Sequence, residues 1–142
     1  MKTLLVAVLS LSTLAAAAQT PAKKISDVAK FNSETVDLGK VKVGSPVTGT
    51  FTVTNISNAP LIIEAVSPSC GCTKSDYTKE PIAPGKTGVI TATYNAAVVG
   101  NFNKTVYVKF AGIMDPVGLI IEGTVLASPP AAAPEAAAAK TN

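Results

Sequence analysis

Residue types that usually carry catalysis or anion recognition are missing from this chain. It contains no His and no Trp among its 142 residues, and all 12 of its basic residues are Lys. Without His, a hydroxyl or thiol nucleophile lacks its usual general base, and without Arg the planar fork that recognises phosphate is absent. The 9 acidic residues nearly balance the basic ones, which does not favour a nucleic-acid or anionic membrane surface. We therefore expect a protein that is not an enzyme, uses no cofactor and binds no nucleic acid.

The first 18 residues have the three-part layout of a secretory signal peptide. Lys2 precedes an uncharged apolar run at residues 4–14, and the small alanines at residues 16–18 suit cleavage before Gln19. The apolar segment is shorter than the roughly 20 residues that a membrane-spanning helix needs. We predict a signal peptide at residues 1–18, a periplasmic or secreted location and no transmembrane segment in the mature chain. The alternative is an uncleaved N-terminal anchor.

Two segments differ in composition from the middle of the chain. Residues 19–30 are small and polar, and residues 127–142 are rich in Ala and Pro, so we predict an N-terminal linker and a C-terminal tail. Removing 18 of the 142 residues leaves 124, a length that suits one domain with a modest core. The predicted domain spans residues 31–126.

The middle of the chain alternates apolar and polar residues between regularly spaced turn residues, which is typical of an all-β sandwich or barrel. The clearest strand covers residues 47–55, where Val47, Phe51 and Val53 point to one face and the intervening threonines to the other. Further strands are predicted at residues 61–66, 89–94, 105–110 and 118–125, with an irregular opening strand at residues 31–38. The side chains predicted to face inward on the later strands are apolar or aromatic: Ile90, Ala92, Tyr94, Val106, Val108, Phe110, Leu119, Ile121 and Val125.

The only two cysteines of the chain lie two positions apart. Cys70 and Cys72 follow a predicted strand, within a segment that we name the motif loop: Pro68, Ser69, Cys70, Gly71, Cys72 and Thr73. In an oxidising compartment such a pair is most simply a disulfide, and Gly71 can adopt the unusual dihedral angles that so small a ring requires. A ring of about three residues removes little unfolded-state entropy, roughly 1.6 kcal/mol, so stability alone explains the pair poorly.

Three roles for the cysteine pair stay open at this point. The pair is a disulfide that shapes the loop, a thiol-redox centre, or a soft-metal site for Cu(I). The nearest cation in the sequence is Lys74, and no cation stands directly beside Cys70 to stabilise a thiolate. Because His is absent, a copper site would need Met114, carboxylates or a second chain to complete its coordination.

Four short segments carry a resemblance to a known family. They are residues 49–55 (GTFTVTN), 68–73 (PSCGCT), 82–86 (IAPGK) and 100–106 (GNFNKTV), in this order. Together they resemble the bacterial domain of unknown function 1573 family, and the framework is similar to immunoglobulin-like domains of the ASH and major-sperm-protein type. The resemblance implies an immunoglobulin-like antiparallel β-sandwich of about seven strands and an envelope location. It implies no reaction, because the activity of that family is not established.

These observations lead to one functional hypothesis and one alternative. The hypothesis is an exported, non-catalytic immunoglobulin-like module that binds a protein partner or an assembly through its loops or an exposed strand edge. It combines the lack of catalytic residue types with the implied framework. The alternative is a periplasmic thiol-redox or copper-handling protein that acts through Cys70 and Cys72.

Overall fold

The computed structural model describes residues 23–128, which form two four-stranded sheets packed around a shared core. The strands are β1 Ala29–Phe31, β2 Thr35–Lys42, β3 Val47–Asn55, β4 Ile63–Pro68, β5 Thr73–Tyr77, β6 Thr87–Tyr94, β7 Gly100–Phe110 and β8 Val117–Leu126. The order of strands is β1-β3-β6-β5 in one sheet and β2-β8-β7-β4 in the other. The predicted immunoglobulin-like β-sandwich is confirmed, with eight strands instead of about seven.

The segment predicted as an N-terminal linker contains secondary structure. A short 3-10 turn, Ile25–Asp27, precedes β1, and both begin before residue 31. They form because Val28 and Ala29 are buried in the core. The predicted signal peptide at residues 1–18 and most of the predicted tail, residues 129–142, lie outside the described residues. Within residues 23–128, no helix is long and apolar enough to cross a membrane.

The core follows from the alternation of apolar and polar residues in the strands. In β3, Phe51 and Val53 are fully buried, whereas Thr48 and Thr50 on the opposite face are exposed. Burial of such apolar surface is the main favourable contribution to folding. All the side chains predicted to face inward on the later strands are buried: Ile90, Ala92, Tyr94, Val106, Val108, Phe110, Leu119, Ile121 and Val125.

The opening segment differs from the single strand predicted for it, because it changes sheets. Strand β1 pairs with β3 in one sheet, and β2 pairs with β8 in the other. At the switch, Asn32 donates from its main-chain N to Thr52 O at 2.9 Å. The Asn32 side-chain oxygen accepts from Thr52 N at 2.7 Å. Since the β2–β8 pair is parallel, this sheet is mixed and not purely antiparallel.

Strand β5 is missing from the sequence-based prediction because its residues are polar. It pairs with β6 along its whole length, and Thr73 is its only buried residue. Two of its side chains reach the neighbouring strand β4: Ser75 Oγ donates to Val66 O at 3.3 Å and Tyr77 OH to Glu64 O at 3.1 Å. These contacts tie β5 to β4 and close one side of the sandwich.

The turn after β3 is organised by Asn55, a polar residue that is fully buried. Its Nδ2 donates to the main-chain O of Ala59 at 2.7 Å and of Ile82 at 2.8 Å. Its Oδ1 accepts from Ser57 N at 2.9 Å and from Ser57 Oγ at 2.8 Å. One side chain therefore joins the turn after β3 to the separate segment that contains Ile82.

The strand register places the connecting loops at two opposite ends of the sandwich. Val47 and Thr73 both pair with Tyr94, and Gly100 pairs with Val125. These residues mark one end, which we name the cysteine end. It carries the loops at residues 43–46, 69–72 and 95–99 and the last residue of β8, Leu126. The other end carries the 3-10 turn and the loop at residues 111–116, so the first described residues and the end of β8 lie at opposite ends.

Candidate binding site at the cysteine end

The motif loop connects β4 to β5 across the cysteine end. It begins at Pro68, the last residue of β4. Ser69 then anchors the loop to β7, because its N donates to Thr105 O at 2.8 Å and its Oγ accepts from Thr105 N at 3.3 Å. Cys70 and Cys72 are joined by a disulfide, with their Cα atoms 5.3 Å apart. The loop is thus fixed at its start and closed by a covalent bond.

Thr73 and Gly71 define the surroundings of the disulfide. Thr73 is buried, and its Oγ1 lies 3.8 Å from Cys70 Sγ and 4.0 Å from Cys72 Sγ. Gly71 is exposed, its φ is not positive, and a Cβ placed there would meet no atom within 4 Å. The ring therefore does not need the conformational freedom of glycine, contrary to the expectation from its small size.

The loop at residues 95–99, between β6 and β7, is held by both of its neighbouring loops. Asn95 N donates to Cys72 O at 3.0 Å, and Gly44 N donates to Ala96 O at 2.8 Å. Asn95 Oδ1 also accepts from Ala97 N at 3.2 Å, which fixes the turn. Ala96 is fully buried and has a φ of 50°, a backbone conformation that a residue with a Cβ rarely adopts. Such strained backbone persists only where the surrounding structure enforces it.

The same loop presents two adjacent valines to solvent. Val98 is 70% exposed and Val99 is 53% exposed. Leu126, at the end of β8, is 45% exposed at the same end of the sandwich. Single exposed apolar residues are common in soluble proteins, whereas large contiguous apolar patches mark interaction surfaces.

A cavity of about 410 Å³ opens beside these valines. Tyr94 and Phe102 stack in its wall with ring centroids 4.3 Å apart. Lys104 Nζ lies 6.0 Å from the centroid of the Tyr94 ring. The lining residues come from the motif loop, from the 95–99 loop and from the adjoining strands: Cys72, Tyr94, Asn95, Ala97, Val98, Val99, Asn101, Phe102 and Lys104.

The structure does not bring together the residues that a copper site would need. It does place beside Cys72 a lysine that is distant from the cysteines in the sequence. Met114 lies at the opposite end of the sandwich from Cys70 and Cys72. Lys74 is exposed on β5, whereas Lys104, thirty-two positions after Cys72 in the chain, lines the same cavity as that cysteine. Within residues 23–128, no three His, Cys, Asp or Glu side chains are grouped so that they could hold a metal ion.

Most of the cavity was not foreseen from the sequence. Tyr94 was predicted as a core residue, and it is buried but also lines the cavity. The one available signal was the pair Val98 and Val99, which stands between two predicted strands where turn residues are usual. Lys104 could not be assigned to the cavity from the sequence, because its place there depends on how β6 and β7 come together in the tertiary fold.

A family model of proteins of unknown function, DUF1573, matches residues 29–125. The chain belongs to this family. The matched residues begin at the first residue of β1 and include all eight strands except the last residue of β8. They also include the disulfide, the 95–99 loop and the cavity between them.

Solved structures resemble the fold of this DUF1573 domain at low sequence identity. A protein of unknown function from Porphyromonas gingivalis W83 matches with a TM-score of 0.60 and 13% identity, over 68% of this chain and 46% of that chain. The ASH/PapD-like domain 7 of human CEP192 matches with a TM-score of 0.55 and 9% identity, over 87% of this chain and 100% of that domain. The VesB protease of Vibrio cholerae matches with a TM-score of 0.55 and 17% identity, over 71% of this chain and 33% of the protease chain.

These similarities concern the fold alone. The DUF1573 chain spans less than half of the Porphyromonas gingivalis protein and about a third of the VesB protease. One sandwich fold supports many unrelated functions, so function has to be argued from the site. Among curated proteins, none matches the chain.

Proposed function

We propose that this domain is a non-catalytic protein-binding module of the bacterial cell envelope and that it contacts its partner through the cysteine end. The observation that carries the proposal is the 95–99 loop, which holds Val98 and Val99 in solvent on a backbone anchored to two other loops. A preformed loop loses little conformational entropy on binding, which favours affinity. The signal-peptide pattern at residues 1–18 supports an envelope location.

The exposed valines supply a contact of useful strength. Covering the exposed parts of Val98 and Val99 with a partner would contribute roughly 2 kcal/mol together, from the usual value for burying a valine side chain. Interfaces obtain most of their binding energy from a few such buried anchors, surrounded by contacts that mainly exclude water. The remaining energy would come from the adjoining cavity.

The two edges of the mixed sheet, β4 and β2, are less suitable for binding than the loops. On β4, the main-chain O atoms of Glu64 and Val66 already accept side-chain hydrogen bonds from β5. The free edge of β2 is interrupted by an irregularity between Asp37 and Lys40, and charged residues flank it. Irregularities and charges of this kind are common means of preventing an edge from pairing with another strand. We therefore favour binding through the loops.

Site-specific photo-crosslinking tests this proposal on the full chain in envelope extracts. A benzophenone amino acid at position 98 should give a discrete crosslinked product. The same probe at position 89, where Val89 is 42% exposed on strand β6, is the matched control and should give none. The double substitution Val98→Ser and Val99→Ser should remove a partner recovered with the wild-type chain while leaving its thermal unfolding unchanged. Equal crosslinking at both positions, or no product at position 98, would contradict the proposal.

A second candidate, thiol-redox function, is favoured by the surroundings of the disulfide. The Thr73 hydroxyl lies within 4.0 Å of both sulfurs, and Lys104 lines the same cavity as Cys72. A hydrogen bond from a hydroxyl and a nearby ammonium group both stabilise a thiolate. Alkylation of freshly lysed cells followed by mass spectrometry separates the two functions. A binding module should retain the disulfide throughout, whereas a redox protein should contain a substantial fraction of alkylated Cys70 and Cys72.

A further inference from the structure

We propose that the cavity at the cysteine end binds a peptide segment of the partner in which a carboxylate adjoins an apolar side chain, with Lys104 pairing with the carboxylate. This inference rests on the proposed function and adds the chemistry of the ligand. It follows from the position of Lys104, from the lining of the cavity and from the lack of a negative charge there.

Lys104 occupies an inward-facing position at the end of the sandwich. Strand β7 alternates so that Phe102 and Val106 are buried, and Lys104 lies between them on the same face of the strand. It is half-buried, with its Nζ near the Tyr94 ring. A long lysine stem can lie along apolar surface in this way while the ammonium group stays at the opening.

The ammonium group of Lys104 makes no hydrogen bond and no ion pair within residues 23–128, and its one polar contact there is with the Tyr94 ring. The ion pair of that part of the chain joins Lys79 to Asp76, and no hydrogen bond there involves Lys104 Nζ. Lys109, five residues further along the same strand and on its opposite face, provides the contrast. Its Nζ donates to the main-chain O atoms of Ile113 and Met114. Lys109, half-buried at the other end of β7, therefore has hydrogen-bond partners within the domain, whereas Lys104 at the cavity has none among residues 23–128.

The lining of the cavity defines the rest of the ligand. Val98, Val99, the disulfide at Cys72 and the stacked rings of Tyr94 and Phe102 offer apolar surface, and no carboxylate is among the lining residues. An apolar side chain would fit against this surface, while a neighbouring carboxylate would reach the ammonium group. The volume of about 410 Å³ lies within the range of about 300 to 1,000 Å³ that is usual for ligand pockets.

A protein segment fits these features better than an anionic membrane. A lipid surface would be expected to meet several cations on a convex tip, whereas this site offers one inward-facing lysine inside a concave opening. A phosphate group would also leave the apolar walls without a contact. A peptide in which an acidic residue stands beside an apolar one provides both kinds of group.

Titration with two capped peptides tests the inference on the full chain by NMR. The first contains the sequence leucine-aspartate-leucine between glycines, and the second replaces aspartate with asparagine. The aspartate peptide should shift the amide signals of Val98, Val99 and Lys104 and bind about fivefold more tightly than its asparagine counterpart, as expected for one partly exposed ion pair. Lys104→Met should remove this difference in affinity. Lys86 is exposed at the opposite end of the sandwich, so Lys86→Met should keep the difference.

Several results would overturn the inference. Equal affinity for both peptides would do so, as would shifts confined to another surface or a preference that persists in Lys104→Met. Capture by phosphatidylglycerol vesicles that depends on Lys104, without peptide binding, would assign the site to a membrane instead. If Lys104→Met still forms the crosslink at position 98 with undiminished yield, the ligand assignment is wrong and the protein-binding proposal stands. If the wild-type chain forms no such crosslink, the protein-binding proposal itself fails.

Discussion

Replacing Asn55 with Ala should destabilise this domain more than any comparable change of an exposed asparagine. The substitution removes four hydrogen bonds, two donated to Ala59 O and Ile82 O and two accepted from Ser57. Ile82 O keeps the bond from Leu61 N at 2.9 Å, and the groups of Ser57 and Ala59 can turn to water. At a net contribution of about 1 kcal/mol for each bond, with some recovered by water, the expected loss is about 3 kcal/mol.

Urea unfolding followed by far-UV circular dichroism measures this loss. With an m value of about 1.5 kcal/mol per molar urea for a domain of this size, the midpoint should fall by about 2 M. Asn58→Ala is the matched control: Asn58 is exposed in the same turn, and the change should stay within about 0.5 kcal/mol. A loss below about 1 kcal/mol for Asn55→Ala would refute the idea that this side chain holds the two segments together.

The isosteric change Asn55→Asp adds a test of direction. One carboxylate oxygen would still accept from Ser57, while the other would face the carbonyl oxygens of Ala59 and Ile82. Burial and these dipoles disfavour the charged form, so the pKa of the new carboxyl should be higher in the folded than in the unfolded state. The stability of this variant relative to the wild type should therefore decrease as the pH rises above about 4, the ordinary pKa of an aspartate. A stability difference that changes in the variant's favour over that range would contradict the buried environment of Asn55.

Three further predictions concern other parts of the structure. Gly88→Ala places a Cβ 2.3 Å from Ile82 Cδ1, and this overpacking should lower the free energy of unfolding by about 1 to 3 kcal/mol, as measured by thermal or urea unfolding. Gly71→Ala is the control, because its Cβ meets no atom within 4 Å and should leave the free energy of unfolding almost unchanged. The pKa of Asp76 is lowered by a hydrogen bond from the main-chain N of Tyr77 and by Lys79, so an NMR titration should place it below the ordinary aspartate value and Lys79→Met should raise it. Because the pKa of Asp76 is lower in the folded than in the unfolded state, its carboxylate stabilises the fold at pH values above the unfolded-state pKa. This contribution is lost as the pH falls through the folded-state pKa. Reduction of the disulfide should lower the free energy of unfolding by about 1.6 kcal/mol and leave the circular dichroism spectrum unchanged, whereas global unfolding on reduction would contradict a merely local bridge.

Short-range alternation was enough to predict the strands of the core. Strand β3 has the predicted bounds, Val47–Asn55, because its threonines and its apolar residues take strictly opposite faces. Strand β5 could not be predicted in this way, since one of its five residues is buried and its pairing with β6 depends on the tertiary fold. The opening segment was predicted as one strand because alternation does not reveal which sheet a strand joins.

The disulfide was the only part of the candidate site that could be predicted from the sequence. Cys70 and Cys72 are near in sequence, so their pairing could be expected from their spacing and from the predicted oxidising compartment. The cavity depends on β6 and β7 bringing Tyr94, Phe102 and Lys104 together, and no local pattern encodes that meeting. The positive φ of Ala96 is equally invisible in the sequence, because alanine is a residue type that seldom adopts it.

The positions of the two ends of the described chain determine how this domain can be presented to a binding partner. Strand β8 contains 10 residues and ends at the cysteine end, while the first described residues lie at the other end, roughly 30 Å away at about 3.3 Å per residue. A bead, sensor surface or fusion protein joined ahead of residue 23 would leave the cavity facing outward. The same attachment made directly after residue 128 would stand beside Leu126 and hinder access, so immobilisation at these two positions should give unequal binding capacity.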